Sequence, residues 1–236
     1  MSRIDTAMVL AAGRGTRMKP RPSDPPKPLV RVDDRALIDH VMARLVAAGI
    51  GKIVVNLHHK AEQIETHLAA VDVGAKVVLS HERDARLETG GGVRHALPLL
   101  GANPFLVCNT DILWDAADFL PALMADYDAA RMDALLACVP PAAISGHDGG
   151  GDFDLHDDGR LARRTRPEDL VFTGIQVLAP QIFDDDLPSG AFSLNEVYDL
   201  AAGRGRLYGH AAAGRWMHVG TPQGRALAQA YFEERP

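Results

Sequence analysis

The stretch Leu10–Met18 reads Leu-Ala-Ala-Gly-Arg-Gly-Thr-Arg-Met and follows the short apolar run Thr6–Leu10. Two glycines and two alanines after a buried strand let backbone N–H groups come close to phosphate oxygens. The spacing is not the dinucleotide-binding pattern G-x-G-x-x-G, because Met18 occupies the place of the third glycine, and no Gly-Lys-Ser/Thr of a Walker loop follows. Taken alone, the stretch is compatible with a phosphate loop or with an ordinary tight turn.

A lysine between two prolines, in Pro26-Lys27-Pro28-Leu29, comes ten residues after Arg17. Proline restricts its own backbone and that of the preceding residue, so we expect residues 24–27 to be extended and the lysine side chain to be aimed. An aimed ammonium and a guanidinium beside a glycine loop can neutralise charge on a transferring phosphoryl group. Lys27 and Arg17 are therefore candidate catalytic residues.

Positive charge is concentrated around these two residues. Residues 14–31 hold six cations and one acid, a local net charge of +5 in a chain whose net charge is −6. A basic loop in an acidic protein favours a small polyanionic ligand over a nucleic acid, which usually needs an extended basic surface. A solvated basic loop without a ligand is the alternative.

Short apolar runs alternate with longer amphipathic segments, which is typical of an α/β fold with a mainly parallel sheet. We predict strands at Thr6–Leu10, Lys52–Asn56, Lys76–Ser80, Phe105–Asn109 and Ala134–Cys138. A helix capped at its C-terminus by Gly49 is predicted from the spacing of Leu37, Val41, Leu45 and Ala48. Other helices are expected near 60–70, 90–100 and 115–128.

The pattern changes after residue 150. A hairpin with Asp158-Gly159 at its turn is predicted for Phe153–Leu155 and Leu161–Arg163. Strands at Phe172–Leu178 and Leu207–Gly209, a helix at Ser193–Ala202 and a closing helix from Thr221-Pro222 to about Glu233 follow. Residues 140–151 are expected to form a mobile loop. We interpret residues 1–236 as one domain, in which the second half decorates the first.

The two cysteines, Cys108 and Cys138, end apolar runs and are expected to be reduced, buried thiols. No apolar run approaches the about 20 residues needed to cross a membrane. The apolar stretch at residues 7–12 is interrupted by glycine and is interpreted as a first strand instead of a signal peptide. These features predict a cytoplasmic protein without a membrane partner.

The first two motifs together resemble the signature of the sugar-phosphate nucleotidyltransferases. The resemblance continues, in the order of that family, through Glu88-Thr89-Gly90-Gly91-Gly92, Asn109-Thr110-Asp111, Gly151-Asp152-Phe153, Phe172-Thr173-Gly174-Ile175 and Trp216-x-x-Val219-Gly220-Thr221. It implies a Rossmann-like, glycosyltransferase-A-like fold with a mixed, mainly parallel sheet, of the short branch that lacks a C-terminal β-helix. It also implies an enzyme that joins a sugar 1-phosphate to a nucleoside triphosphate and releases pyrophosphate.

The resemblance implies a nucleotide-binding half at about 1–112 and a sugar-phosphate-binding half at about 113–236, and it assigns roles residue by residue. It implies catalytic roles for Arg17, Lys27 and Asp111. It implies nucleotide binding by Leu10, Ala11, Ala12, Gly13, Gly15, Thr16, Arg17, Glu88, Thr89, Gly90 and Gly91. It implies sugar-phosphate binding by Asn109, Asp152, Gly174, Asn195 and Glu196, although Asn195 and Glu196 could equally be the exposed face of a helix.

The metal site departs from the family pattern. Asp111 follows a predicted strand and is expected to hold Mg²⁺ at phosphate oxygens. The family places an aspartate two residues before Gly220-Thr221, where this chain has His218. Imidazole is a poor ligand for Mg²⁺ and a better one for Mn²⁺, Co²⁺ or Zn²⁺. Three interpretations stay open: His218 binds a softer cation, reaches Mg²⁺ through water, or marks a lost ligand.

Within the family, Glu-Thr-Gly-Gly-Gly and Gly-Asp-Phe favour UTP and N-acetylmuramic acid 1-phosphate as substrates. A mannose 1-phosphate guanylyltransferase, or another sugar 1-phosphate nucleotidyltransferase, is the alternative within the enzymes. A nucleotide-sugar-binding regulator with weakened catalysis is the alternative from another class, motivated by His218. The expected partners are these small molecules alone, with no nucleic acid, and the chain is expected to be a monomer or a small homo-oligomer.

Overall fold

The computed structural model describes residues 4–184 and 187–234. Its strands are β1 (Thr6–Leu10), β2 (Arg31–Val32), β3 (Arg35–Ala36), β4 (Lys52–Leu57), β5 (Lys76–His81), β6 (Phe105–Asn109), β7 (Ile112–Trp114), β8 (Ala134–Val139), β9 (Ile144–Ser145), β10 (Phe153–Leu155), β11 (Leu161–Arg163), β12 (Val171–Leu178), β13 (Leu207–Ala211) and β14 (Trp216–His218). Its α-helices are α1 (Leu37–Ala47), α2 (Ala61–Ala70), α3 (Glu88–Leu100), α4 (Phe119–Asp126), α5 (Leu194–Gly203) and α6 (Pro222–Glu233).

Seven strands form the central sheet, in the order β13-β8-β12-β6-β1-β4-β5. All neighbours in this sheet are parallel except β12, which runs antiparallel to both β6 and β8. The predicted mixed, mainly parallel sheet is thus confirmed. After the last strand the described residues continue into α6, and they contain no C-terminal β-helix.

Alternation along the strands sends side chains into two cores, one on each face of the sheet. In β1, Ala7 and Val9 join the core that contains α1, α2 and α4, whereas Met8 joins the core that contains α3 and α5. The strands read as continuous apolar runs because both faces are covered. Cys108 and Cys138 are buried free thiols, as predicted.

The predicted helices are all present, and two begin at a capping side chain, of which Thr221 was the predicted one. The Ser193 side chain accepts a hydrogen bond from Asn195 N at the start of α5, and Thr221 Oγ1 accepts one from Gly224 N at the start of α6. Gly49 follows α1 with φ of 88°, the left-handed conformation that glycine adopts without strain. No helix of the described residues is long and apolar enough to cross a membrane.

Residues 140–151 are more ordered than predicted. A 3-10 turn occupies Pro141–Ala143, and β9 pairs with β14, which pairs in turn with β7. Sequence analysis misses this small second sheet because its strands are two or three residues long and depend on partners far away in the chain. This sheet places two predicted site residues next to each other, because β7 begins just after Asp111 and β14 ends at His218.

The basic segment also differs from the prediction. Pro26 is extended, but Lys27 opens a 3-10 turn (Lys27–Leu29), so the extended backbone expected up to Lys27 was wrong. A two-strand hairpin formed by β2 and β3 follows, with positive φ at both turn residues, Asp33 and Asp34. Aspartate tolerates this conformation better than most residues, and it is the one that a two-residue hairpin turn requires.

Candidate active site

The carboxyl ends of three adjacent strands bring the predicted motifs together. Leu10, at the end of β1, pairs with Asn56 of β4 on one side and with Asn109 of β6 on the other. Open α/β sheets bind ligands at this edge because the loops that leave the strands diverge there. A cleft of about 490 Å³ opens at this position.

Most of the predicted nucleotide and catalytic residues line this cleft. They are Leu10, Ala11, Ala12, Gly13, Gly15, Thr16, Arg17, Lys27, Glu88, Thr89 and Asp111. Residues separated by up to 101 positions in the sequence therefore share one cavity. The candidate site is assembled by the sheet and does not depend on one loop.

The loop at residues 11–16, called the phosphate loop here after the role that the family resemblance implies, is shaped by Gly15. Its φ of 62° and ψ of 33° are left-handed, and its carbonyl accepts a hydrogen bond from Met18 N as residues 16–18 form a 3-10 turn. A Cβ on Gly15 would lie 2.9 Å from Lys27 Cβ, so the side-chain stem of Lys27 passes directly over the glycine. The glycine is needed both for its backbone conformation and for the approach of Lys27.

An ion pair joins Lys27 to Asp111. Lys27 Nζ contacts Asp111 Oδ2, and each side chain is 13% exposed. Burial favours the neutral acid, but the hydrogen bond from His218 and the charge of Lys27 outweigh it and hold the pKa of Asp111 well below its usual range. Asp111 is therefore an anion at neutral pH, beside the only ammonium that the sequence motifs predict for the site.

His218 is the third member of this group. Its Nε2 lies 3.2 Å from Asp111 Oδ2, and its Nδ1 lies 3.3 Å from the carbonyl oxygen of Gly146. The backbone supports the contact, because Val219 N donates to the Asp111 carbonyl at 2.8 Å. The structure thus brings together the two residues for which the sequence predicts metal binding.

Arg17 lies on the same cleft as Lys27 and Asp111, with an exposed side chain. Within the described residues no carboxylate forms an ion pair with it. Other cations of residues 14–31 border a second cavity of about 730 Å³ on the far side of the phosphate loop, namely Arg14, Arg21 and Arg31. The positive charge of the segment is therefore divided between two cavities, with Arg14 and Lys27 bordering both.

The start of α3 contributes to the cleft only in part. Glu88 has a φ of 61° and pairs with Arg86 at 2.8 Å at the cleft surface. Thr89 Oγ1 accepts a hydrogen bond from Leu194 N at 2.9 Å. Gly90 and Gly91 do not reach the cleft surface: a Cβ on Gly90 would lie 2.5 Å from the Phe192 ring, and one on Gly91 would lie 2.3 Å from a backbone oxygen. Both glycines serve close packing of α3.

The predicted sugar-phosphate residues are more scattered. Asn109 lines the cleft, and Gly174, with a φ of 86°, lies against its side chain. Asp152 Oδ2 instead accepts a hydrogen bond from Phe172 N at 2.9 Å. Asn195 accepts one from Arg163 at 3.2 Å, and Glu196 is exposed. The structure does not bring Asp152, Asn195 and Glu196 to the cleft that holds Lys27.

Two residues that sequence analysis does not identify also line the cleft, Asn56 and Arg86. Asn56 was detectable in principle, because an amide that ends an otherwise apolar strand at the ligand edge of a sheet is buried and must be hydrogen-bonded. Arg86 lies in a polar loop where no sequence signal distinguishes it from its neighbours.

Comparison with known proteins gives consistent matches. Residues 7–147 match the MobA-like NTP transferase domain. The chain is 43% identical over 235 residues to the N-acetylmuramate alpha-1-phosphate uridylyltransferase of Caulobacter vibrioides, with 97% of each chain covered. It is 37% identical over 238 residues to the enzyme of the same name from Neisseria meningitidis serogroup B, covering 95% of this chain and 99% of that one.

The fold is also similar to that of solved structures. The UTP-bound UGPase of Acinetobacter baumannii superposes with a TM-score of 0.79 at 20% identity, over 99% of this chain and 95% of that one. At this identity the likeness concerns the fold.

Proposed function

We propose that this chain, which belongs to the family of MobA-like NTP transferase domains, transfers a uridylyl group from UTP to the 1-phosphate of N-acetylmuramate. Its curated relatives are sugar 1-phosphate nucleotidyltransferases, as the sequence motifs predicted. The observation that carries the proposal is the shared cleft, in which a glycine loop, Arg17 and the Lys27–Asp111 pair face one cavity.

The reaction asks little covalent chemistry of the protein. A phosphate oxygen of the sugar 1-phosphate bonds to the α-phosphorus of UTP, and the bond from that phosphorus to the bridging oxygen breaks. Pyrophosphate leaves with the electron pair. Because the attacking phosphate is already an anion at neutral pH, a protein nucleophile is unnecessary, and catalysis rests on positioning and charge neutralisation.

Three parts of the cleft suit these tasks. Backbone N–H groups of the loop at 12–16 can hold phosphate oxygens, whereas Ala11 N donates to Asn56 Oδ1. The Arg17 guanidinium can bind phosphate in two places through its planar fork. The Lys27 ammonium is held at the cleft by Asp111 and by its packing on Gly15, so its charge is in place before substrate binds.

A divalent cation fits the same group of residues. All the described bonds to the Asp111 carboxylate use Oδ2, which leaves Oδ1 for a cation. Within the described residues, no three His, Cys, Asp or Glu side chains form a complete cage. A complete cage is not required, because a cation at substrate phosphates is commonly held by only one or two protein carboxylates. Asp111 would hold the cation with His218 beside it, and the cation would neutralise phosphate charge.

The choice of UTP and N-acetylmuramate 1-phosphate is supported by the names of the two relatives, each of which extends over nearly the whole chain. The motifs Glu88–Gly92 and Gly151–Phe153 favour the same choice. The residues predicted to bind the sugar phosphate lie away from the cleft in the case of Asp152, Asn195 and Glu196. The identity of the sugar is therefore inferred from these likenesses and not from a defined sugar pocket.

Pyrophosphate release tests the proposal. Purified protein is incubated with UTP, CTP, GTP or dTTP, with N-acetylmuramate, mannose or glucose 1-phosphate, and with Mg²⁺, Mn²⁺ or Co²⁺. We expect the highest kcat/KM for UTP with N-acetylmuramate 1-phosphate. A preference for GTP with mannose 1-phosphate would make the chain a guanylyltransferase. Nucleotide binding without pyrophosphate release in any combination would make it a regulator.

A further inference from the structure

A buried carboxylate lies behind the cleft without a cationic partner. Glu82, one residue after β5, is 3% exposed, and among residues 4–184 and 187–234 no Lys, Arg or His forms an ion pair with its carboxylate. Burial of a charge is costly unless hydrogen bonds compensate it. Here Asn56 Nδ2 donates to Oε1 at 2.7 Å and Leu87 N donates to Oε2 at 2.8 Å.

Asn56 carries this connection to the phosphate loop. It is also 3% exposed, and its Oδ1 accepts a hydrogen bond from Ala11 N at 2.8 Å. Ala11 and Asn56 both line the cleft. The amide thus uses its oxygen toward the phosphate loop and its nitrogen toward Glu82.

Leu87 extends the connection toward the second half of the chain. The Leu87 carbonyl accepts a hydrogen bond from Phe192 N at 3.1 Å, and the Phe192 carbonyl accepts one from Gly90 N at 2.8 Å. A continuous series of hydrogen bonds therefore runs from Ala11 through Asn56, Glu82 and Leu87 to the segment that precedes α5. This series passes behind the cleft and connects the phosphate loop with the start of α3.

Gly92 gives independent support. It lies one turn into α3, where alanine would be the better helix former by about 1 kcal/mol. A Cβ at this position would lie 2.7 Å from Glu82 Oε1 and 3.1 Å from Asn56 Nδ2. The third glycine of the Glu-Thr-Gly-Gly-Gly motif therefore makes room for the Asn56–Glu82 pair.

We propose that Asn56 and Glu82 are positioning residues that hold the start of α3 at a fixed distance from the phosphate loop. This inference rests on the proposed function, because it requires the phosphate loop and the start of α3 to bind two parts of the same nucleotide. The phosphate loop would hold the triphosphate, and the α3 start, with Glu88 and Thr89, would hold the nucleoside. Neither residue takes part in bond making, so the pair acts on nucleotide binding.

The pair can be tested by exchanging its two side-chain types. Glu82→Gln leaves one acceptor where two donors, Asn56 Nδ2 and Leu87 N, need one each. Asn56→Asp places a second carboxylate against Glu82. In the double variant the new amide at 82 donates to the new carboxylate at 56 and still accepts from Leu87 N, while the carboxylate accepts from Ala11 N. All three hydrogen bonds are restored, and only the one between positions 56 and 82 has its direction reversed.

The dissociation constant of UTP is measured by calorimetry without sugar, followed by kcat and both KM values. Each single variant leaves a hydrogen bond between residues 56 and 82 or to Leu87 N unmade, which moves the start of α3 relative to the phosphate loop. We therefore expect each single variant to bind UTP at least about tenfold more weakly. The KM for the sugar 1-phosphate should change far less. The double variant should recover most of the lost affinity. Asp169→Asn is the matched control: it alters a buried, backbone-bonded carboxylate remote from the cleft and should leave UTP affinity unchanged.

Melting temperatures separate positioning from general destabilisation. If Glu82→Gln does not fold, Gly92→Ala provides the same test, because its Cβ displaces the Glu82 carboxylate without removing it. If the wild type binds UTP and Glu82→Gln or Gly92→Ala binds it with the same affinity, the inference is overturned and the proposed function is not. Equal losses in Asp169→Asn, or no recovery in the double variant, would also overturn it. Failure of the wild type to bind any of the four triphosphates would overturn the proposed function as well.

Discussion

Gly15 and Lys27 are in van der Waals contact, with the position of an added Gly15 Cβ only 2.9 Å from Lys27 Cβ. The two residues come from the two motifs that identify the family, and the contact explains why they occur together. The left-handed turn at Gly15 opens the phosphate loop, and the missing side chain lets Lys27 cross it toward Asp111. One glycine thus serves both the turn of the loop and the approach of the Lys27 ammonium to Asp111.

Gly15→Ala should therefore impair catalysis through Lys27. The added methyl group collides with the lysine stem and strains a φ of 62°, for which the backbone cost is about 1 kcal/mol. We expect kcat to fall at least about tenfold as Lys27 moves. Pyrophosphate release measures the loss. Gly51→Ala is the control, since nothing lies within 4 Å of its added Cβ, and equal kcat values for the two variants would contradict the argument.

Lys27→Met tests the cation itself. Methionine keeps most of the side-chain volume and removes the charge, so the fold should persist while the transferring phosphoryl group loses its ammonium. Removal of one preorganised electrostatic contact commonly costs about 100- to 1,000-fold in kcat, and we expect a loss of that order. Lys76→Met removes an exposed lysine of β5 and should leave kcat unchanged. A Lys27→Met enzyme with near-normal kcat would remove Lys27 from the mechanism.

We expect the free energy of unfolding to depend on pH through Asp169, which lies away from the candidate site. Hydrogen bonds from the backbone N–H groups of Arg166 and Thr165 lower the pKa of this buried carboxyl. Its stabilising effect is therefore present above its unfolded pKa, about 3.9, and is lost as pH falls through the lower, folded value.

Urea unfolding at pH 3 to 7 checks this expectation for Asp169. The difference in the free energy of unfolding between the wild type and Asp169→Asn should be largest near neutral pH and should narrow below about pH 4. A difference that stays constant over this range would show that the carboxylate charge contributes nothing at this position.

The central sheet was predictable from sequence because its strands are buried on both faces and appear as uninterrupted apolar runs. Strands β7, β9 and β14 were not predictable, since pairing with distant partners, not local propensity, defines segments this short. The site divides in the same way. Lys27 and Asp111 belong to sequence motifs and were predictable. Asn56 and Glu82 belong to no motif, and their contact forms only because β4 and β5 pair beside β1.

His218 lies where the family resemblance implies an aspartate, and its substitution tests the proposed metal site. The imidazole Nε2 lies 3.2 Å from Asp111 Oδ2, so a residue at this position can reach a cation held by Asp111. Carboxylate oxygens suit Mg²⁺, and imidazole nitrogen suits Mn²⁺ or Co²⁺. We therefore expect the wild type to be more active with Mn²⁺ or Co²⁺ than with Mg²⁺, and His218→Asp to shift this preference toward Mg²⁺.

The measurement is kcat/KM for UTP at saturating concentrations of each of the three cations, for the wild type, His218→Asp and His218→Ala. The alanine variant is the control, because it removes the imidazole without adding a carboxylate and should lose activity with all three cations. If the ratio of activities with Mn²⁺ and Mg²⁺ is the same in all three proteins, His218 does not act on the cation. Its role would then be confined to the hydrogen bond that it makes with Asp111.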